Sequence, residues 1–175
     1  MLATLLPGKF KAAEGMSARK SPEIVTLPAP ALGDEGRVTF KQYLEPESAD
    51  VDITKQSVLV AVGRGIQQKD NLDLAEELAE ALGTAVAASR PVIDQGWLST
   101  SRLVGKSGKA VKPKVYLAFG ISGAPEHTEG ITGSDMIIAV NTDPAAPIFN
   151  IARYGAEVDL LDLLPVLTEK IRTLK

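Results

Sequence analysis

Several short polar or glycine-rich groups in this 175-residue chain come directly after apolar runs. Gly63-Arg64-Gly65 follows Ser57–Val62 (SVLVAV), and Ser89-Arg90 follows Ala85–Ala88. Gly120-Ile121-Ser122-Gly123-Ala124, with Glu126-His127 just beyond, follows Val115–Phe119 (VYLAF). Asn141-Thr142-Asp143-Pro144 follows Met136–Val140 (MIIAV), and Asp159 falls in the last such segment, Glu157–Leu160. Glycines where a strand turns into a helix let the backbone approach a phosphate, and the helix N-terminus then offers free N–H donors and partial positive charge. Gly120–Gly123 fits that task, and Arg64 can add a full charge for a pyrophosphate. Taken singly, the glycines are equally well tight turns and Arg64 a solvated surface arginine. The recurrence of such groups at four of five strand ends is what points to a nucleotide.

Other chemistries lack their residues. There is no cysteine, which removes disulfides, thiolate nucleophiles and cysteine-held metal clusters. The single histidine, His127, cannot build a multi-histidine metal site. Gly105-Lys106-Ser107 looks like the end of a P-loop, but the position that needs the first glycine holds Thr100. No G-x-G-x-x-G opens a helix, and no G-x-S-x-G elbow supports a hydrolase.

Composition sets the class. Apolar residues make up 45% and charged residues 23%, the balance of a globular domain with a real core. No run approaches the roughly 20 apolar residues that span a bilayer. A net charge of −3 and a pI near 5.3 argue against a broad nucleic-acid surface. The N-terminus lacks the order of a secretory signal, so a cytoplasmic location is the expectation.

The elements that would position these groups alternate. SVLVAV, Ala85–Ala88, VYLAF and MIIAV are short continuous apolar runs, as in strands buried on both faces. Between the first two, Leu72, Ala75, Leu78, Ala79 and Leu82 recur at helical spacing. Asp70 or Asn71 can cap that helix, and Gly83 ends it. A helix-like stretch spans about 122–130, and 161–174 closes the chain as a helix, with Pro165 in its first turn. This predicts an α/β fold, a doubly wound parallel sheet in three α/β/α layers, over residues 51–175. Residues 1–50, with Pro7, Pro22, Pro28, Pro30 and Pro46, read as an irregular N-terminal arm with extended pieces at Ile24–Leu27 and Val38–Leu44.

Five motifs then become familiar in order: VAVGRGI (60–66), VAASRPVIDQGW (86–97), LVGKSGKAVKPKVYLAFGISGAPEH (103–127), IIAVNTDPAAPIFNIARYG (137–155) and DLLDLLP (159–165). Together they resemble the C-terminal FAD-binding domain of electron-transfer flavoprotein alpha subunits. LPGKF at 6–10 is similar to the segment that joins this domain to the family's N-terminal domain, so the chain reads as a fragment or a truncated relative. The resemblance implies one FAD and a heterodimer with a beta subunit. It also implies electrons taken from dehydrogenases and passed on, commonly to a quinone reductase, with neither nucleic acid nor membrane insertion involved. By the same resemblance Arg64 and Gly120, Ile121, Ser122, Gly123 and Ala124 lie along the pyrophosphate. Ser89 is a further FAD contact, and Arg90 sits against the isoalloxazine. Ser107, beside Gly108, donates to flavin N5 in place of the more usual threonine. His127 approaches flavin O2, and Asn141 and Asp159 bind the adenosine end.

A one-electron carrier must stabilise a flavin semiquinone, and a guanidinium beside the ring does so. At 4 Å and an effective dielectric near 20, a unit charge contributes roughly 4 kcal/mol, on the order of 170 mV. A hydrogen bond from Ser107 adds about 1 kcal/mol. Glu126 replaces the family's usual glutamine, Lys106 a glutamine and Thr142 a frequent lysine. The extra carboxylate at Glu126 is expected to weaken anion stabilisation or raise the His127 pKa. A non-redox module that binds AMP or NAD(P) in the same pocket is the second reading, and Arg90, Ser107 and His127 speak against it.

Overall fold

The structure is a computed structural model, which describes Met16 and residues 23–28, 41–42 and 51–174. The chain divides into two compact units, Met1–Leu44 and Glu45–Lys175. In the first, residues 23–28, which include the expected piece Ile24–Leu27, form neither helix nor paired strand. Val38–Leu44, except for Lys41 and Gln42, lies outside the described residues.

In the second unit, strands and helices alternate. The strands are β1 (Val58–Val62), β2 (Val86–Ala88), β3 (Val115–Phe119), β4 (Met136–Asn141) and β5 (Tyr154–Glu157). The helices are α1 (Leu72–Leu82), α2 (Arg90–Asp94), α3 (Pro125–Thr128) and α4 (Leu160–Thr173), with short 3-10 turns between. The five strands form one all-parallel sheet in the order β2-β1-β3-β4-β5. The winding therefore reverses between β1 and β3, the place where open parallel sheets hold ligands.

The apolar runs become central strands because both faces are covered. Val60, Val62, Phe119 and Val140 pack under α1 and α4 through Ala75, Leu78, Leu160 and Leu164. Leu59, Ala61, Tyr116, Ala118 and Ala139 pack on the other face, beneath Val104, Val111, Ile131 and Ile148. The long helices thus cover one face, while the second is covered mainly by loops and short turns. α1 ends at Gly83, whose left-handed φ of 69° returns its N–H to the Ala79 and Glu80 carbonyls. Asn71 occupies the N-cap position but caps nothing, since its amide reaches back to the Ile66 carbonyl at 2.8 Å.

Three expected elements differ. The last strand is Tyr154–Glu157, not Glu157–Leu160, because Asp159 caps α4 and Leu160 is already helical. The helix expected over 122–130 shrinks to Pro125–Thr128: Pro125 opens it, and Ala124 before the proline has an extended ψ of 144°. Pro165 is the sixth residue of α4 rather than part of its first turn, so the Leu161 carbonyl loses its intrahelical donor.

Candidate functional site

Register builds the site. Ala88, Val62, Phe119, Val140 and Ala156 pair across the sheet as one row. The residues one step on, Ser89, Gly63, Gly120 and Asn141, therefore form a common rim. Gly63 N–H donates to the Phe119 carbonyl at 2.8 Å and Gly65 N–H to the Gly120 carbonyl at 3.1 Å. A Cβ on Gly63 would stand 2.2 Å from the Gly120 oxygen, so the two turns touch backbone to backbone. Gly120 itself has φ +63°, open to few residues other than glycine.

A cavity of about 650 Å³ opens across this rim, a size usual for small-molecule and cofactor sites. It brings together Arg64, Ser89, Arg90, Ser107, Gly120, Ile121, Ser122, Ala124, Glu126, His127 and Asn141, all expected from the sequence. A smaller cavity of about 270 Å³ is lined by Asp159 and Thr142 and shares Gly65, Gly120 and Asn141 with the first. Gly108 and Gly123 line neither. A Cβ on Gly108 would meet the Leu103 carbonyl oxygen at 2.4 Å, and one on Gly123 the Ile148 nitrogen at 2.2 Å, so both serve backbone packing. Sequence reasoning missed Pro91, Leu103, Val104, Gly105 and Ala146 as lining residues, while Asp143 belongs to the group it placed after β4. Gly105 had a signal, since it opens the G-K-S triplet set aside with the P-loop. Its φ is +137°, and a Cβ there would meet the Glu126 carbonyl oxygen at 2.6 Å.

The backbone N–H groups of Ile121, Ser122 and Ala124, which line the large cavity, find no acceptor among the described residues. The Arg64 guanidinium likewise has no acidic partner there. A run of free N–H groups beside an arginine is a place for an anion. Arg90 opens α2, its Nη1 donating to Ser107 Oγ at 3.3 Å and its Nε to Asp94 at 2.6 Å.

Asn141 and Asp159 are already at work in the fold. The Asn141 amide donates to the Ile121 carbonyl at 3.1 Å and its Oδ1 accepts from Asp143 N–H at 3.0 Å. Asp159 Oδ1 caps α4 by accepting from Leu161 N–H at 2.9 Å. His127 is buried, with Nε2 2.9 Å from the Tyr116 hydroxyl. Burial pushes its imidazole down to about 4, against a weaker opposing effect of the Val104 backbone. The expected rise caused by Glu126 is thus corrected: desolvation governs this ring. Among the described residues no helix is long and apolar enough to cross a membrane, and no acid–histidine group could hold a metal ion.

A parallel sheet with a donor-lined cavity at its winding reversal is the architecture of nucleotide-cofactor-binding α/β domains. Residues 52–132 match the family model described as the electron transfer flavoprotein FAD-binding domain. It is 40% identical over 156 residues to Protein FixB of Azotobacter vinelandii, covering 89% of this chain and 43% of that protein. It is 37% identical over 175 residues to the electron transfer flavoprotein subunit alpha of Bacillus subtilis, covering 99% of this chain and 53% of that one. It is 38% identical to the acryloyl-CoA reductase electron transfer subunit beta of Anaerotignum propionicum, covering 98% and 48%. The chain thus spans about half the length of the curated relatives it matches.

Proposed function

We propose that this chain is the FAD-holding half of an electron-transfer flavoprotein alpha subunit, a redox carrier rather than an enzyme with its own small substrate. The observation that carries this reading is the donor set of one cavity. The N–H groups of Ile121, Ser122 and Ala124, and Arg64, none of which has an acceptor or acidic partner among the described residues, suit a pyrophosphate. The Arg90–Ser107 pair supplies a cation and a hydroxyl elsewhere on the same wall. The turns at Gly63 and Gly120 pack backbone to backbone, which brings these groups to one rim.

FAD, when bound, supplies the electron transfer. The chain's residues bind and orient it: Arg64 and the Ile121–Ala124 amides hold the phosphates, and Ser89 adds a polar contact. Arg90 with Ser107 biases the charge at the ring, Glu126 and His127 border it, and Asn141 with Asp159 shapes the adenosine end. Residues 51–175 form the FAD-binding domain, with 1–50 as an arm. A beta subunit is the partner, dehydrogenases are the donors, and a quinone reductase or similar protein is the acceptor, with the cytoplasm as the location.

FAD titration of the chain, alone and with a candidate beta subunit, tests this reading. Weak binding alone, strengthened by the partner and giving a two-band flavin spectrum, is expected. A colourless protein that takes up AMP or NAD(P) in place of FAD would overturn it.

A further inference from the structure

Tyr116 projects from β3 into the face opposite α1 and α4 and is fully buried. Its hydroxyl lies 2.9 Å from Nε2 of His127 in α3, with the rings tilted by 54°. The hydroxyl has no other hydrogen-bond partner among the described residues, and neither has the buried His127 Nδ1. Two proton arrangements are open to the pair. If Nε2–H donates to the hydroxyl, the buried O–H is left without an acceptor and Nδ1 keeps an unmatched lone pair. If the hydroxyl donates to Nε2, Nδ1–H alone is unmatched, and fewer buried polar groups are stranded. The Val104 backbone acts on the ring in the sense that favours a proton there.

We propose that Tyr116 is a positioning residue: it donates to His127 Nε2 and so holds the imidazole neutral, with its proton on Nδ1. His127 is part of the wall of the large cavity. The pairing leaves that ring one donor, Nδ1–H, and no free acceptor nitrogen. Nδ1 is enclosed by the protein, so the tautomer stands independently of what the cavity binds.

His127 is the sole histidine of the chain, so nitrogen-15 histidine labelling of the full protein reports one imidazole. Long-range proton–nitrogen correlation near pH 7 is expected to show a protonated Nδ1 and a bare Nε2, without FAD. Tyr116→Phe is expected to lower the Nδ1–H to Nε2–H ratio about tenfold or more, the equivalent of about 1.4 kcal/mol. A ring protonated on Nε2 in the unaltered protein overturns the proposal, whether or not the variant folds. A folded variant with an unchanged ratio overturns it too. FAD titration of the same samples separates the two readings: an Nδ1–H ring in a chain that takes up no FAD supports the tautomer and removes the flavin function.

Discussion

Arg90 Nη1 donates to Ser107 Oγ at 3.3 Å, joining two side chains 17 positions apart in the sequence. One opens the helix after β2 and the other lies in the loop before β3. Asp94, one helical turn beyond Arg90, takes the guanidinium's Nε at 2.6 Å. The cation at the cavity edge is therefore held from two sides, and part of its charge is answered by a carboxylate.

That arrangement sets the size of the effect of Arg90→Ala on bound FAD. An unpaired charge at 4 Å would be worth on the order of 170 mV. The Arg90 side chain is 61% exposed and paired to Asp94, so a lowering of about 60 mV, a tenfold change in a one-electron equilibrium, is expected. Asp94→Asn is expected to move the potential the other way. Spectroelectrochemical titration of the FAD-loaded protein measures both, and an unmoved potential in both variants would place the pair outside the flavin's field.

Gly63→Ala tests the contact between the turns after β1 and β3. The new methyl would meet the Gly120 oxygen, the Gly120 carbon and the Ile121 Cα at 2.2, 2.7 and 2.8 Å, all backbone atoms that cannot swing aside. A stability loss of about 3 kcal/mol, the upper end for overpacking, is expected in urea denaturation, together with weaker FAD binding. Stability equal to that of the parent would refute so close an approach.

His127 makes stability depend on pH. Its folded value of about 4 lies below the ordinary 6.5. As pH falls through about 6.5 the unfolded chain takes up a proton that the folded chain refuses until about 4. Stability is thus complete above this window, falls across it by on the order of 3 kcal/mol, and levels off below. His127→Asn should flatten the curve within the window. Denaturation midpoints measured from pH 4 to 8 decide it, and parallel curves for the two proteins would contradict the burial argument.

The central strands and α1 were legible because burial on both faces leaves unbroken apolar runs and a clean helical period with Gly83 at its end. β5 was misplaced for the opposite reason. It is an edge strand whose residues Tyr154, Gly155 and Glu157 face solvent, so no apolar run marks it. The apolar Val158 and Leu160 just beyond drew the assignment toward the start of α4. In the site, the groups at strand ends were readable because parallel register must bring them to one rim. Gly108 and Gly123 were not, because a glycine required by neighbouring backbone looks the same in sequence as one required by a ligand. The Tyr116 partner of His127 was invisible for a related reason: a tyrosine inside an apolar strand reads as core, and its hydroxyl gives no sign of its direction.

The reversal of winding between β1 and β3 bears on how the protein is kept in the cell. A cofactor seated there leans on strands shared by the whole sheet, so global unfolding cannot spare its berth. By mass action, free FAD at 100 times its dissociation constant adds about 2.7 kcal/mol to the folded state. Chains without FAD lack that increment and are expected to be the more readily cleaved by proteases.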